Sequence, residues 1–363
     1  MRAMRGAVLA AFVCGGAAVA PLAAQPRPPS VPAADARWAV KSREHVDLWL
    51  HGFAMISEDS SPVPQFRRGY RDALVVERNK ASAFTELDAN RELLAARLRA
   101  NPGLLNAQFL ALYFGSWPEL NEAMDRFLKD DGNARRVPGE GPTALLAAAF
   151  PAKDDRAFAR RFVNALRNEQ EKFYHLWWLA ETRRRERTLA VIDSLWQGTY
   201  RPRLQNFLSH TQQGSGSVIL TLALEGEGRT IAEGKQRNLL AVGFPESPDH
   251  AMEAIYAIAH ELIGPIANAS VDDNTTPAEK RSGVAERLSS LALVRGGALL
   301  LGRLAPDLAV GYARFYLRLG DGARPAGVTR DADVLVAFAR VFPLPNTLLE
   351  SLDRQIAVAF GGI

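Results

Sequence analysis

The run Ala259-His260-Glu261-Leu262-Ile263-Gly264 holds residue types that hydrolytic zinc chemistry uses. On a helix, His-Glu-x-x-His stacks two imidazoles one turn apart and sets the Glu beside them. Zinc held by both rings activates a water, and the Glu takes its proton. Here the position four residues after His260 is Gly264, so one ligand is missing. Structural zinc sites are worth about 10–16 kcal/mol, so one ligand in four carries roughly 3–4 kcal/mol. Its loss weakens binding on the order of a hundredfold to a thousandfold. Asp272 and Asp273 after the helix, and His210 and His250 before it, are the groups available to replace it, none at a compelling spacing. The competing reading is structural. Gly264-Pro265 then ends a helix, His260 sits in its last turn where the dipole favours a cationic ring, and Glu261 faces solvent.

The flanking segments say what would position these groups. Val218–Leu224, 229–233 and 239–244 are β-branched or apolar runs separated by glycine turns, which reads as three strands. Their short connections predict antiparallel pairing. Ser247, Pro248 and Asp249 form a helix start signal. Met252, Ile255, Tyr256, Ala259, Leu262 and Ile263 give that helix a buried stripe. Thr276 and Glu279 have capping-box spacing before a helix carrying Val284, Leu288 and Leu291. Two more helices are expected near 306–319 and 331–342.

This order of strand, turn, strand, helix, loop and helix, together with the partial motif, resembles the gluzincin (thermolysin-like) zinc metallopeptidases. The resemblance covers residues 218–302, under half of the chain. It implies that His260 and Glu286 bind metal and that Glu261 is the catalytic base, since the family's third ligand is a Glu on a later helix. Glu286 lies 22 residues after Gly264, in Gly283-Val284-Ala285-Glu286. With Gly264 in place of the second His, the expectation is a degenerate, metal-free peptidase site kept as a binding or interaction module. Its partner would be a peptide or protein, and zinc is the one cofactor weighed. Two alternatives stand beside it: a zinc-dependent peptidase with a non-standard ligand, and an exported helical scaffold with no active site.

The rest of the chain sets the frame. Residues 1–24 read as a secretory signal, with Arg2 and Arg5 before an apolar, small-residue stretch and Leu22-Ala23-Ala24 as cleavage site. Residues 25–34 hold four prolines and read as a tether, residues 35–208 as a helical region, and residues 209–363 as the gluzincin-like α+β region. The expected fold class is α+β, mostly helical, with a small antiparallel sheet packed beside the motif helix. A secreted or periplasmic location follows, with no integral membrane segment after cleavage, because Arg295 and Arg303 break the best later apolar run. Cys14 is the only cysteine and falls in the signal, which excludes disulfides and thiolate zinc sites from the mature chain. Removing the signal leaves 42 basic against 40 acidic residues, which gives no reason to expect nucleic acid.

Other candidates are weaker. His175 lies among Phe173, Tyr174, Trp177 and Trp178, with Glu171 a turn earlier, and reads as a core edge or an aromatic groove. His45 and His51 flank Trp49 and are explained by packing or exposure. Arg183-Arg184-Arg185-Glu186-Arg187 reads as a solvated helix face. Gly214-Ser215-Gly216-Ser217 lacks the spacing of a nucleophile elbow, and neither a phosphate loop nor a dinucleotide fingerprint is present.

Overall fold

A computed structural model describes residues 38–58, 63–132, 141–233, 237–320 and 330–361. The expected signal and tether lie outside the described residues. The fold is α+β and mostly helical, as expected. The sheet, however, is mixed rather than antiparallel.

Its strands are β1 (Ala39–Lys41), β2 (Ser215–Thr221), β3 (Arg229–Glu233) and β4 (Arg237–Gly243), in the order β1-β2-β4-β3. β1 pairs parallel with β2, β2 pairs parallel with β4, and only β3 pairs antiparallel with β4. The chain leaving β2 therefore passes β4's place and returns along the edge as β3. Val218, Leu220, Leu240 and Val242 point into one hydrophobic core, and Ile219, Ile231, Leu239 and Ala241 into another. A sheet covered on both faces favours continuous apolar runs, which is why 218–220 in β2 and 239–242 in β4 show no polar alternation.

The core beneath Ile219 and Leu239 is built on α1 (Glu44–Ile56), α2 (Tyr70–Lys80), α3 (Glu86–Ala100), α4 (Trp117–Lys129), α5 (Pro142–Ala149) and α6 (Lys153–Glu169). Ser116 caps α4 by accepting the Glu119 N–H, and Leu120, Met124, Phe127 and Leu128 form its buried stripe. Gly52 lets α1 approach α6, because a Cβ there would stand 2.6 Å from the Phe162 ring. The apolar positions Leu105 to Tyr113 lie in and between two 3-10 turns, Pro102–Ala107 and Leu110–Tyr113, with Phe109 in the gap. A π turn at Gln170–Tyr174 follows α6, then α7 (His175–Arg184), then α8 (Glu186–Leu195).

A second π turn, Trp196–Tyr200, leads into the short α9 (Arg201–Arg203) and α10 (Gln205–His210). The core beneath Val218 and Leu240 holds that sheet face, α11 (Ala251–Leu262), α12 (Gly264–Asn274), α14 (Val284–Gly302), α15 (Pro306–Leu319), α16 (Asp331–Val341) and α17 (Asn346–Ala359), while α13 (Pro277–Arg281) between α12 and α14 buries none of its residues. This core also takes in Trp38, Ile192, Trp196, Phe207 and Leu208, so the cores do not part the chain at 208/209. The capping box of Thr276 and Glu279 is formed as expected. Ser247 does not cap. Its hydroxyl lies 2.9 Å from His250 Nδ1, a 3-10 turn spans Pro248–His250, and α11 starts at Ala251. Among the described residues no single helix is long and apolar enough to cross a membrane.

Candidate functional site

The motif residues end up inside the molecule. α11 stops at Leu262, and Gly264-Pro265 opens α12 rather than closing the helical run. Pro265 has no N–H to offer the Glu261 carbonyl, so the helix breaks there. His260 is 1 % exposed. Its ring stacks on Tyr316 at 5.3 Å, and Nδ1 lies 3.3 Å from the Tyr312 hydroxyl. Burial lowers its pKa to about 4, so the ring is neutral near pH 7. The helix dipole does not prevail over the loss of solvent.

Glu261 does not face solvent either. Its carboxylate accepts the Gly228 N–H at 3.0 Å, where the chain enters edge strand β3. Burial raises its pKa to about 7, against the Gly228 hydrogen bond and the nearby Arg229 charge, which favour ionisation. Gly228 is required by this approach, because a Cβ would stand 2.2 Å from the Ala241 carbonyl and 3.2 Å from Glu261 Cγ. His260 Nε2 and Glu261 Oε1 are 3.9 Å apart, too far for a hydrogen bond.

Glu286 stands exposed in the first turn of α14. The part of α14 that meets the motif is two turns further on. A Cβ at Gly264 would lie nearest Leu293, at 3.9 Å, and Gly296 and Gly297 make room for Ile263 and Tyr312. Seven residues of helix separate Glu286 from Leu293, about 10 Å along the axis. Of the substitutes for the missing ligand, Asp273 is exposed and the other three are occupied elsewhere. Asp272 pairs with Lys280, His210 Nδ1 lies 2.8 Å from the Ala359 carbonyl, and His250 pairs with Ser247. Among the described residues no group of three or more His, Cys, Asp or Glu is arranged to hold a metal ion.

The remaining histidines are partnered. His45 Nε2 lies 2.9 Å from the Phe114 carbonyl, and exposed His175 pairs with Glu44, not with Glu171. His51 belongs to a closed buried network, with Glu169 at 3.2 Å on one side and the Tyr70 hydroxyl at 3.1 Å on the other. Arg78 bonds the same Glu169 and reaches Asp88. The Arg run also differs from expectation. Arg185 is 5 % exposed, donates to the Phe244 carbonyl and lies 5.7 Å over the Phe244 ring.

An open concavity lies elsewhere, at the other end of α11. A cleft of about 310 Å³ lies beyond the carboxyl ends of the parallel strands β2 and β4, where the chain turns into α11. Arg67, Arg68, Glu225, Glu246, Glu253 and Arg318 supply its charges. Arg67 is fixed by the Phe244 carbonyl at 2.8 Å and by Glu246 at 2.9 Å. Arg318 holds Glu253 at 2.7 Å and lies over the Phe315 ring. Glu225 accepts the Arg68 backbone N–H at 3.1 Å, and burial pushes its pKa up against that bond and the surrounding guanidinium groups. Ligands of open α/β sheets gather at such strand ends. Sequence reading missed the cleft, although His250 beside it was noted, because antiparallel pairing puts the carboxyl ends of neighbouring strands on opposite sides.

The chain matches no family model, no curated protein and no solved structure. Its residues carry the functional argument alone.

Proposed function

We propose that this protein is a non-hydrolytic binding module and that its ligand occupies the cleft at the ends of β2 and β4, not the His-Glu motif. The observation that carries this reading is the closure of the motif. A zinc peptidase needs two imidazoles, a third ligand and an open position for water. Here the one imidazole is stacked on Tyr316, the carboxylate is spent on the edge strand, and Glu286 is exposed two turns from the contact. The order β2, β3, β4, α11, α14 supports a gluzincin-like ancestry for this half, with the motif turned over to packing. Export fits the charged and apolar start of the sequence.

The test is metal content and metal affinity of the protein purified without added zinc. Substoichiometric zinc that a chelator removes is the expected result. Stoichiometric zinc that resists chelation overturns the reading and supports an altered-site peptidase.

A further inference from the structure

Helix α7 buries none of its ten residues, yet it carries two tryptophans and two leucines. The tryptophans turn inward. Trp178 donates its indole N–H to Asp47, and the Trp177 ring stacks on Phe173 at 6.2 Å. Residues three and four apart share a helix face, so Lys172 in the preceding π turn, Leu176, Leu179 and Arg183 line up on the opposite side. Leu176 is 74 % exposed and Leu179 is 45 % exposed. Phe84, between α2 and α3, is 83 % exposed, and Lys172 donates to its carbonyl at 3.3 Å, so Phe84 stands by the same end of the stripe. The result is a ridge of outward apolar side chains with a cation at each end. No carboxylate falls on the stripe itself. Glu171 is about a quarter-turn away, Glu86 lies beyond Phe84, and Glu181 is taken by Arg184 and Arg185.

We propose that this ridge docks the protein on the surface of an anionic lipid bilayer, with Leu176, Leu179 and Phe84 at the headgroup–acyl boundary and Lys172 and Arg183 among the phosphates. A helix that lies in the interface sets its apolar face into that boundary and keeps basic side chains at its edge, where their stems cover apolar surface and their charged ends stay in water. The charge pattern argues against a second copy of the chain as occupant. Pairing the stripe with itself antiparallel sets Lys172 against Arg183, and pairing it parallel sets each cation against its own copy. The area argues against another protein. Three such side chains offer on the order of 400 Å² of apolar surface, whereas a standard interface takes about 800 Å² from each partner. A bilayer needs no matching pocket, and its headgroups supply the anions. The inference does not rest on the cleft.

The experiment is flotation of the full chain with vesicles of phosphatidylcholine alone and of phosphatidylcholine with an equal part of phosphatidylglycerol. The parent is expected to partition at least tenfold more strongly onto the anionic vesicles, and added salt should release it. Leu176→Asp combined with Leu179→Asp should lower the anionic partition at least tenfold, and Arg183→Glu at least about fivefold. Leu176→Ala, a milder change at the same place, should fall between parent and double variant. Val336→Asp, at an exposed apolar position on α16, should leave the partition unchanged. The comparison of the two lipids uses the unaltered protein, so a variant that fails to fold does not rescue the idea. The apolar start of the sequence is common to every variant, so binding carried by that segment alone gives equal partition of parent and leucine variant, which overturns the proposal. Equal binding to neutral and anionic vesicles overturns it too. A lipid-free dimer of the parent that the leucine substitutions abolish assigns the ridge to self-association and overturns it as well.

Discussion

Asp47 on α1 accepts the backbone N–H of Leu222 at 2.7 Å, just past the end of β2, and so ties the first helix to the sheet. The other carboxylate oxygen accepts the indole N–H of Trp178 at 2.8 Å. Asp47 is fully buried, and burial raises its pKa from 3.8 to about 7, although both hydrogen bonds oppose the shift. The folded state therefore binds this proton more tightly than the unfolded chain. The stability it contributes is fully present below about pH 4 and is lost as pH rises toward 7, a term on the order of a few kcal/mol. Asp47→Asn keeps an acceptor for Leu222 and removes the titration. Its unfolding free energy should fall less between pH 5 and pH 8 than that of the parent, as read by urea titration. Parallel curves for the two proteins would show that Asp47 is ionised in the fold.

The motif residues titrate in opposite senses. Glu261, raised to about 7, works like Asp47 and loses its contribution as pH rises from about 4.5. His260, lowered from 6.5 to about 4, contributes above pH 6.5 and loses that as pH falls toward 4. Glu261→Gln should flatten the loss on the neutral side by at most about 3 kcal/mol. His260→Gln should flatten the loss on the acid side. Thermal unfolding from pH 4 to pH 8 separates them, and a Glu261→Gln variant with an unchanged neutral limb contradicts the buried placement.

Completing the motif should gain nothing. Gly264→His is sterically open, with Leu293 as the nearest neighbour at 3.9 Å, so the variant should fold. Its imidazole, however, starts from the first residue of α12 and meets an apolar stretch of α14. Zinc affinity is expected to stay within a factor of two of the parent, with and without Glu286→Ala. A tenfold gain, about 1.4 kcal/mol, that disappears in the Glu286→Ala background would restore the metal-site geometry.

These outcomes also mark what the sequence could convey. The runs that became β2, β3 and β4 were legible from their apolar, β-branched character, and so was the Thr276–Glu279 box, because both signals are local. Pairing was not. Short connections pointed to neighbours in sequence, while β4 lies between β2 and β3, and β1 joins from across the whole helical region. The apolar runs Val218 to Leu220 and Leu239 to Val242, without polar alternation, were a signal of burial on both faces, and hence of parallel strands. Arg185 could not be told from Arg183, Arg184 and Arg187, because the α7–α8 break that turns it inward has no marker of its own. The cleft was invisible for the same reason as the pairing. Its residues come from four stretches of chain, around 67, 225, 246 and 318, that only the topology brings together.

The packing beneath the motif gives the sharpest steric prediction. Gly297 on α14 faces Tyr312 on α15, and a Cβ there would stand 2.3 Å from the Tyr312 hydroxyl. Tyr312 is fully buried, with its ring 4.4 Å from that of Tyr316 and its hydroxyl beside His260, so it has no free volume to retreat into. Alanine is otherwise the better helix residue, by about 1 kcal/mol over glycine, so a neutral site would gain from Gly297→Ala. Overpacking a filled core costs about 1–3 kcal/mol, and the clash should prevail, leaving a net loss. Tyr312→Phe removes the nearest of three clashing atoms, leaving the ring carbons Cζ and Cε2 at 2.6 and 2.8 Å from that Cβ, at the cost of the contact with His260. If the hydroxyl is the obstacle, Gly297→Ala should cost clearly less in the Tyr312→Phe background than in the parent, a favourable coupling of about 1 kcal/mol or more in a double-mutant cycle. Equal costs in both backgrounds would mean that the ring carbons rather than the hydroxyl set the clash, and no cost in either would mean that α14 and α15 are spaced differently.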